Sequence, residues 1–315
     1  MDLLSNVLAT VRLKASGWHI CDFRAPWGFV TKPGFAEPFF LSIVGSACWL
    51  TFDGMAPIRM QEGDLILALH GQSYSIASDP EVEPIAWETA FPPLPWSNSV
   101  KLTAPRRLAY GDGDGPATRA ISAVFGFGDT KRNPLLAALP PYIYLSNSDS
   151  HLLATMQSAR EFLESEEVAP GPGYVATAER LAELVFISII RAHLRLQPEQ
   201  TSGWLRSLSD PRIARAVTAI HERPQHHWTV AGLAEIATMS RAVFAKKFHI
   251  LVGKSPGDYL TDWRLHLASS QLATTGKPVS TIAEEAGYRS DTAFAQAFKR
   301  QFQLTPREYR RAQNG

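Results

Sequence analysis

Cysteine is nearly absent from this chain: Cys21 and Cys48 are the only two in 315 residues. Two thiols build neither a disulfide framework nor a tetrahedral zinc site. They point to an intracellular setting in which both act as small buried hydrophobes. Long apolar runs are also missing, so no transmembrane helix is expected. The start, MDLLSNVLATVRLK, opens on an acid and has no basic stretch followed by an apolar core, so no signal peptide is expected. There is no His-x-His pair, and His19, His226 and His227 show no ligand spacing. No metal site is expected from so dispersed a set of imidazoles. A strong charge of one sign is lacking overall, because the net charge is +1. The distribution is uneven, however. From Asp210 onward there are 15 Lys/Arg against 9 Asp/Glu, a surplus of six, and the part before it carries a deficit of five. A basic end on an otherwise acidic chain is the electrostatic footprint of phosphate binding.

What the basic end contains is a repeated pattern. In the run IAEEAGYRSDTAFAQAFKRQFQLTPREYR, from Ile282 to Arg310, Ile282, Ala283 and Ala286 give a short apolar face. Gly287 then offers a position where positive φ costs little. Ser290 is a candidate N-cap, and Phe294, Phe298 and Phe302 recur every four residues on one face of the next helix. Asp291, Thr292, Ala295, Gln296, Lys299 and Arg300 occupy the opposite face. An aromatic stripe behind small, amide and basic side chains suits a helix that enters a DNA major groove. An ordinary amphipathic helix gives the same pattern once. Here it occurs twice: Ser240, Phe244 and Phe248 precede Ser290, Phe294 and Phe298 by 50 positions, and Ser255-Pro256 and Tyr259 precede Thr305-Pro306 and Tyr309 by the same interval. Two copies are too few for a solenoid but fit two helix-turn-helix units. The helix between them, from Pro256 with Tyr259, Trp263, Leu267 and Leu272 as its apolar face, spans about 30 Å. It can hold two recognition helices about one DNA turn apart.

The segment from about Asp210 to Arg311 resembles the paired helix-turn-helix domain of the AraC/XylS family of bacterial transcription regulators. The order Ile282-Ala283, Gly287-Tyr288, Ser290, Phe294, Phe298-Lys299, Phe302, Thr305-Pro306, Tyr309-Arg310 carries the resemblance. Gln303 stands where the family usually has Gly, and Thr238 stands in the first turn where Gly is common. The resemblance implies that the first recognition helix presents Arg241, Ala242, Ala245, Lys246 and His249 to double-stranded DNA, and the second Asp291, Thr292, Ala295, Gln296 and Lys299. Lys246 is suited to guanine and Gln296 to adenine. Lys247, Arg289 and Arg300 are assigned to phosphates, which set affinity rather than sequence choice.

The first half reads as short strands with turn punctuation. Phe39–Val44 ends at Gly45, Cys48–Phe52 ends at Asp53-Gly54, and Gly63-Asp64 precedes Leu65–Leu69. That spacing argues for an antiparallel barrel or sandwich, and the order of its pieces, with Arg106–Gly111 and Asn133–Pro140 later, resembles the AraC-linked cupin. His70 stands alone, and Tyr74 takes the place where that subfamily often has His. From Ser150 the periodicity becomes helical, through Leu152, Met156 and Ala159, and after the break at Pro170–Gly173 through Ala178, Ala182, Val185 and Ile189. The expected division is a cupin-like sensing and dimerisation domain over 1–200, a linker over 201–209 and a DNA-binding domain over 210–315. The fold class is thus a β-barrel with a helix pair, then an all-α domain. The resemblance implies a cytoplasmic, homodimeric regulator without enzymatic activity or cofactor, working with RNA polymerase and a small-molecule effector. Trp49, His70, Tyr74 and Trp87 are candidate effector-pocket residues, since aromatic walls with a few polar tips suit such pockets. Two rivals are a barrel that only dimerises, and a metal-dependent cupin enzyme fused to a DNA-binding domain.

Overall fold

The computed structural model describes residues 3–8, 13–31, 38–91, 103–127, 135–147 and 149–314. They form two compact units. One comprises residues 13–128 and 141–197; the other joins residues 1–12 and 129–140 to 198–315.

Among the described residues the first unit holds eleven strands: β1 (Leu13–Arg24), β2 (Gly28–Val30), β3 (Phe39–Ile43), β4 (Cys48–Phe52), β5 (Ile58–Met60), β6 (Leu65–Ala68), β7 (Tyr74–Ala77), β8 (Ile85–Ala86), β9 (Arg106–Tyr110), β10 (Ala117–Phe127) and β11 (Tyr142–Leu145). They make one sheet in the order β11-β6-β3-β10-β1-β9 and a second in the order β5-β4-β7-β2-β8. Neighbours run antiparallel except at one edge of each sheet, where β9 and β8 are parallel to their partners. The expected antiparallel barrel or sandwich is built from two sheets, antiparallel but for one edge pair in each. Residues 106–110, within the Arg106–Gly111 stretch, form β9, while 94–102 lie outside the described residues, as do Asn133 and Pro134.

Side-chain alternation builds the core. Phe23, Phe29, Phe39, Leu41, Leu50, Phe52 and Ile76, drawn from both sheets, form one buried cluster. The other face of the larger sheet is also covered. Trp18 Nε1 donates to the Ala178 carbonyl at 3.0 Å, and the rings of Phe125 and Phe186 lie 5.9 Å apart. Burial on both faces is why every residue of β3 is buried, four of the five being apolar. Cys21 and Cys48 are buried free thiols, pushed up to about 12 by that burial, in keeping with a packing role. Asp64 explains the Gly63-Asp64 pair: its carboxylate accepts from Gln61 N, Tyr144 Oη and Asn147 N at 2.8, 2.7 and 3.1 Å. Besides the short α2 (Trp87–Ala90), the unit carries the helices α3 (Ser150–Val168) and α4 (Tyr174–Leu196), which pack together, tied by Asp149, which caps α3 and pairs with Arg195. That guanidinium holds the Asp149 carboxyl below its ordinary value.

The second unit is helical among the described residues: α1 (Leu3–Leu8), α5 (Gly203–Arg206), α6 (Pro211–Glu222), α7 (Val230–Ile236), α8 (Arg241–Val252), α9 (Pro256–Thr274), α10 (Val279–Glu285), α11 (Asp291–Phe302) and α12 (Pro306–Asn314). Two boundaries differ from expectation. Residues 201–209 are folded rather than a linker, because Trp204 and Leu205 are buried and Ser202 Oγ donates to the Ala138 carbonyl at 3.1 Å. The helix α1, expected with the sheets, packs on α6 with Leu3 and Val7 buried. Capping follows the repeat. Ser240 accepts from Val243 N, Ser255 from Asp258 N and Ser290 from Ala293 N, while Asp210 accepts from Arg212 N with Pro211 in the first helical position.

Both departures from the family pattern fall at left-handed residues, Thr238 at φ 52° and Gln303 at φ 59°. A non-glycine residue there costs about 1–2 kcal/mol. Glycine would relieve that at an entropic cost of about 0.5–1 kcal/mol. Gln303→Gly should therefore stabilise the protein by up to about 1 kcal/mol, read as a higher midpoint in urea with an unchanged slope; a lower midpoint would contradict this.

Candidate nucleic-acid interface

Two helices carry the site, and each is anchored by its aromatic stripe. On α8, Phe244, Phe248 and Val252 are buried, and on α11 Phe294, Ala297, Phe298 and Phe302 are buried. The stripe of α11 meets Leu265, Ala268 and Leu272 of α9, Ile282 and Ala283 of α10, and its C-cap Ala286 in a single cluster. The ring of Phe298 stacks on Phe302 at 4.3 Å and meets Tyr309 edge-on at 5.4 Å. With these faces fixed, the opposite faces are open. Arg241, Ala242, Lys246 and His249 are exposed on α8, and Asp291, Thr292, Gln296, Lys299 and Arg300 on α11. Ala245 and Ala295 are half-buried, which suits small residues where a helix approaches a base closely; Arg289 is exposed in the turn before α11.

Lys247 already has a partner within the protein. It was expected to hold a phosphate, but its ammonium pairs with Asp210, the N-cap of α6. The pair links α8 to the start of α6 and holds the Asp210 carboxyl below its ordinary value. Sequence reasoning also missed Val243 and Ile250, which are 54% and 56% exposed on the same side of α8. The Phe244–Phe248 period itself places them there. The turn between α10 and α11 needs Gly287, at φ 80°: a Cβ would sit 2.9 Å from Arg264 Nη2 and 3.0 Å from the Gln225 backbone. Arg264 in turn donates to the Pro224 and His226 carbonyls at 2.7 and 3.0 Å, linking α9 to the segment after α6. The 19 residues of α9 give a spacer of about 28 Å.

The four candidate effector residues do not come together. On β4, Cys48, Leu50 and Phe52 point into the core, so Trp49 points out of it, and His70 is exposed. Tyr74 and Trp87 do share the core, packed against Phe39 and Phe52 in one case and Phe29 and Phe91 in the other. Burial pushes the Tyr74 phenol up. Among the described residues, no three His, Cys, Asp or Glu side chains are grouped to hold a metal ion. No helix among them is long and apolar enough to cross a membrane.

Comparison with known proteins agrees with both halves. The profile of a family described as Cupin matches residues 2–195, and one described as Helix-turn-helix domain matches residues 233–312. A putative AraC-like transcription regulator of Streptomyces lividans is 34% identical over 99% of this chain and 98% of its own length. A second, from Streptomyces antibioticus, is 34% identical over 99% of each. The HTH-type transcriptional regulator AlkR of Acinetobacter baylyi is 30% identical over 98% of this chain and 99% of its own. A cupin half, two helix-turn-helix units and full-length similarity to such proteins lead to one assignment: the chain belongs to the AraC family of DNA-binding transcription regulators.

Proposed function

We propose that the chain reads an operator by placing α8 and α11 in successive major grooves of one DNA face, as a cytoplasmic homodimer that acts on RNA polymerase and catalyses no reaction. The observation that carries this is the repeated geometry: two serine-capped helices, each anchored by its buried phenylalanines and each leaving its opposite face exposed. Lys246 and Gln296 reach base edges, Val243 adds an apolar surface suited to a thymine methyl, and Arg289 and Arg300 hold phosphates. The exposed Leu184 and Leu196 of α4 supply apolar surface for the dimer.

Gln296→Ala should lose about 1–3 kcal/mol of discrimination at one base position, whereas Arg300→Ala should weaken binding to all sequences alike. Binding measured on a set of single-base operator variants separates the two. A uniform loss in Gln296→Ala would remove its base-reading role. Affinity should also fall steeply with salt, because each neutralised phosphate releases counterions.

A small-molecule effector is part of this reading. The packed aromatic core of the sheet unit favours a second version, in which that unit dimerises and senses nothing. A thermal-shift screen of the full chain against small metabolites, followed by footprinting with each hit, decides between them.

A further inference from the structure

The two helix-turn-helix units differ at the point where they meet. Arg215 on α6 and Arg264 on α9 are equivalent in the repeat, 49 positions apart, as are Thr238 and Gly287, the left-handed residues of the two turns. In the first unit the arginine serves its own turn: exposed Arg215 donates to the Ile236 carbonyl at 3.3 Å and to Thr238 Oγ1 at 3.4 Å. In the second unit the arginine crosses to the first. Half-buried Arg264 donates Nε to the Pro224 carbonyl and Nη2 to the His226 carbonyl, both in the segment that leads into α7. Gly287 makes room for this, since a Cβ there would crowd both the guanidinium and Gln225 Cα. The middle of α9, the segment before α7 and the turn before α11 therefore meet around one guanidinium.

The segment before α7 is tied down by its own contacts. Trp228 Nε1 donates to the Arg223 carbonyl at 3.0 Å, the Arg223 guanidinium lies 5.0 Å over the same indole, and Trp228 N donates to the His226 carbonyl at 2.9 Å. The next residue, Thr229, caps α7, which packs on α8. On the other side, Gly287 stands three residues before Ser290, the cap of α11. Orientation fixed at Arg264 thus passes to both recognition helices through short connections. Two charge-assisted bonds from one planar fork set direction as well as distance.

We propose that Arg264 is a positioning residue that sets the orientation of α8 relative to α11, and with it the operator spacing that the chain accepts. This deepens the reading in which the two helices enter successive grooves, and rests on it. Without the clamp, α9 still tethers the units, but each can follow DNA of altered spacing. The matched spacing then binds more weakly, because orientational freedom must be lost on binding.

The test uses the full chain and a DNA duplex that the wild type selects from a random pool. Two further duplexes carry one base pair inserted or removed between the stretches read by α8 and α11, a shift of about 3.4 Å and about a tenth of a turn. The wild type should bind the shifted duplexes at least about tenfold more weakly than the matched one. Arg264→Ala should bind the matched duplex about tenfold more weakly than wild type, yet the shifted ones about equally well, so that its preference for spacing falls to about threefold or less. Arg264→Lys keeps the charge but loses the fork and should fall between. Arg215→Ala, the same change at the equivalent position, should keep the wild-type preference. Far-ultraviolet circular dichroism and urea midpoints check that each variant is folded; should Arg264→Ala not fold, the preference of Arg264→Lys decides. An equal loss on all three duplexes in a folded Arg264 variant, or no change at all, would overturn the clamp and leave the two-groove reading standing. A wild type indifferent to spacing would remove the two-groove reading and the clamp with it.

Discussion

Phe298→Ala should lower stability by about 3–5 kcal/mol, the usual range for emptying a packed aromatic site. Phe298 is fully buried, its ring lies 5.5 Å from Phe294 and 4.3 Å from Phe302, and it shares a cluster with Ala283 and Ala286. Small residues line α10, so little can move in to refill the space. The loss is comparable with much of the ~5–15 kcal/mol that holds a typical domain. No atom on the open face of α11 changes, yet that helix loses the platform that aims it. Protection of the operator should therefore disappear over the part read by α11, while the sheet unit, with its separate aromatic core, keeps its near-ultraviolet signal. Footprinting with near-ultraviolet and far-ultraviolet circular dichroism reads both parts. Full protection and full stability in Phe298→Ala would show that the stripe does not support the helix.

The phenylalanine stripes were legible in the sequence because their period and their packing both belong to one helix and its neighbours. The N-caps at Asp210, Ser240, Ser255 and Ser290 were legible for the same reason, since a cap binds a backbone N–H two or three residues on. What could not be read depends on distant partners. Lys247 looks like a phosphate ligand until Asp210, 37 positions away, is placed beside it. Residues 201–209 look like a linker because their composition is polar; only the packing of Trp204 and the bond from Ser202 to Ala138 makes them structure. The aromatic residues of the sheets failed as a pocket for a third reason. The face of a strand residue is set by its register, and a shift of one reverses it. Trp49 and Leu50 are adjacent in sequence and point opposite ways.

Buried imidazoles make the helical unit sensitive to acid. His221, in the last turn of α6, stacks on Trp263 with ring centroids 3.9 Å apart, and its Nε2 lies 2.6 Å from the Tyr259 hydroxyl. Burial first, and then the nearby His266, lower it from 6.5 to about 3. Between these values the unfolded chain holds a proton that the folded chain refuses. Stability is thus complete above about pH 6.5, falls as pH drops through that window, and levels off below about 3. At about pH 4.5 the loss from His221 alone should be on the order of 2–3 kcal/mol. His266, lowered to about 4, acts in the same direction. The depressed carboxyls of Asp149 and Asp210 act only at lower pH, because their ordinary value is 3.8. Urea unfolding of the full chain at about pH 7, 5.5 and 4.5, followed by far-ultraviolet circular dichroism, should show the midpoint falling in the wild type. In His221→Gln, which cannot take up a proton but can still meet the Tyr259 hydroxyl, the starting stability should be lower and the fall between pH 7 and 4.5 shallower by about 2–3 kcal/mol. Parallel slopes in the two proteins would mean that His221 is protonated in the folded state and that its burial is not what sets the acid limit.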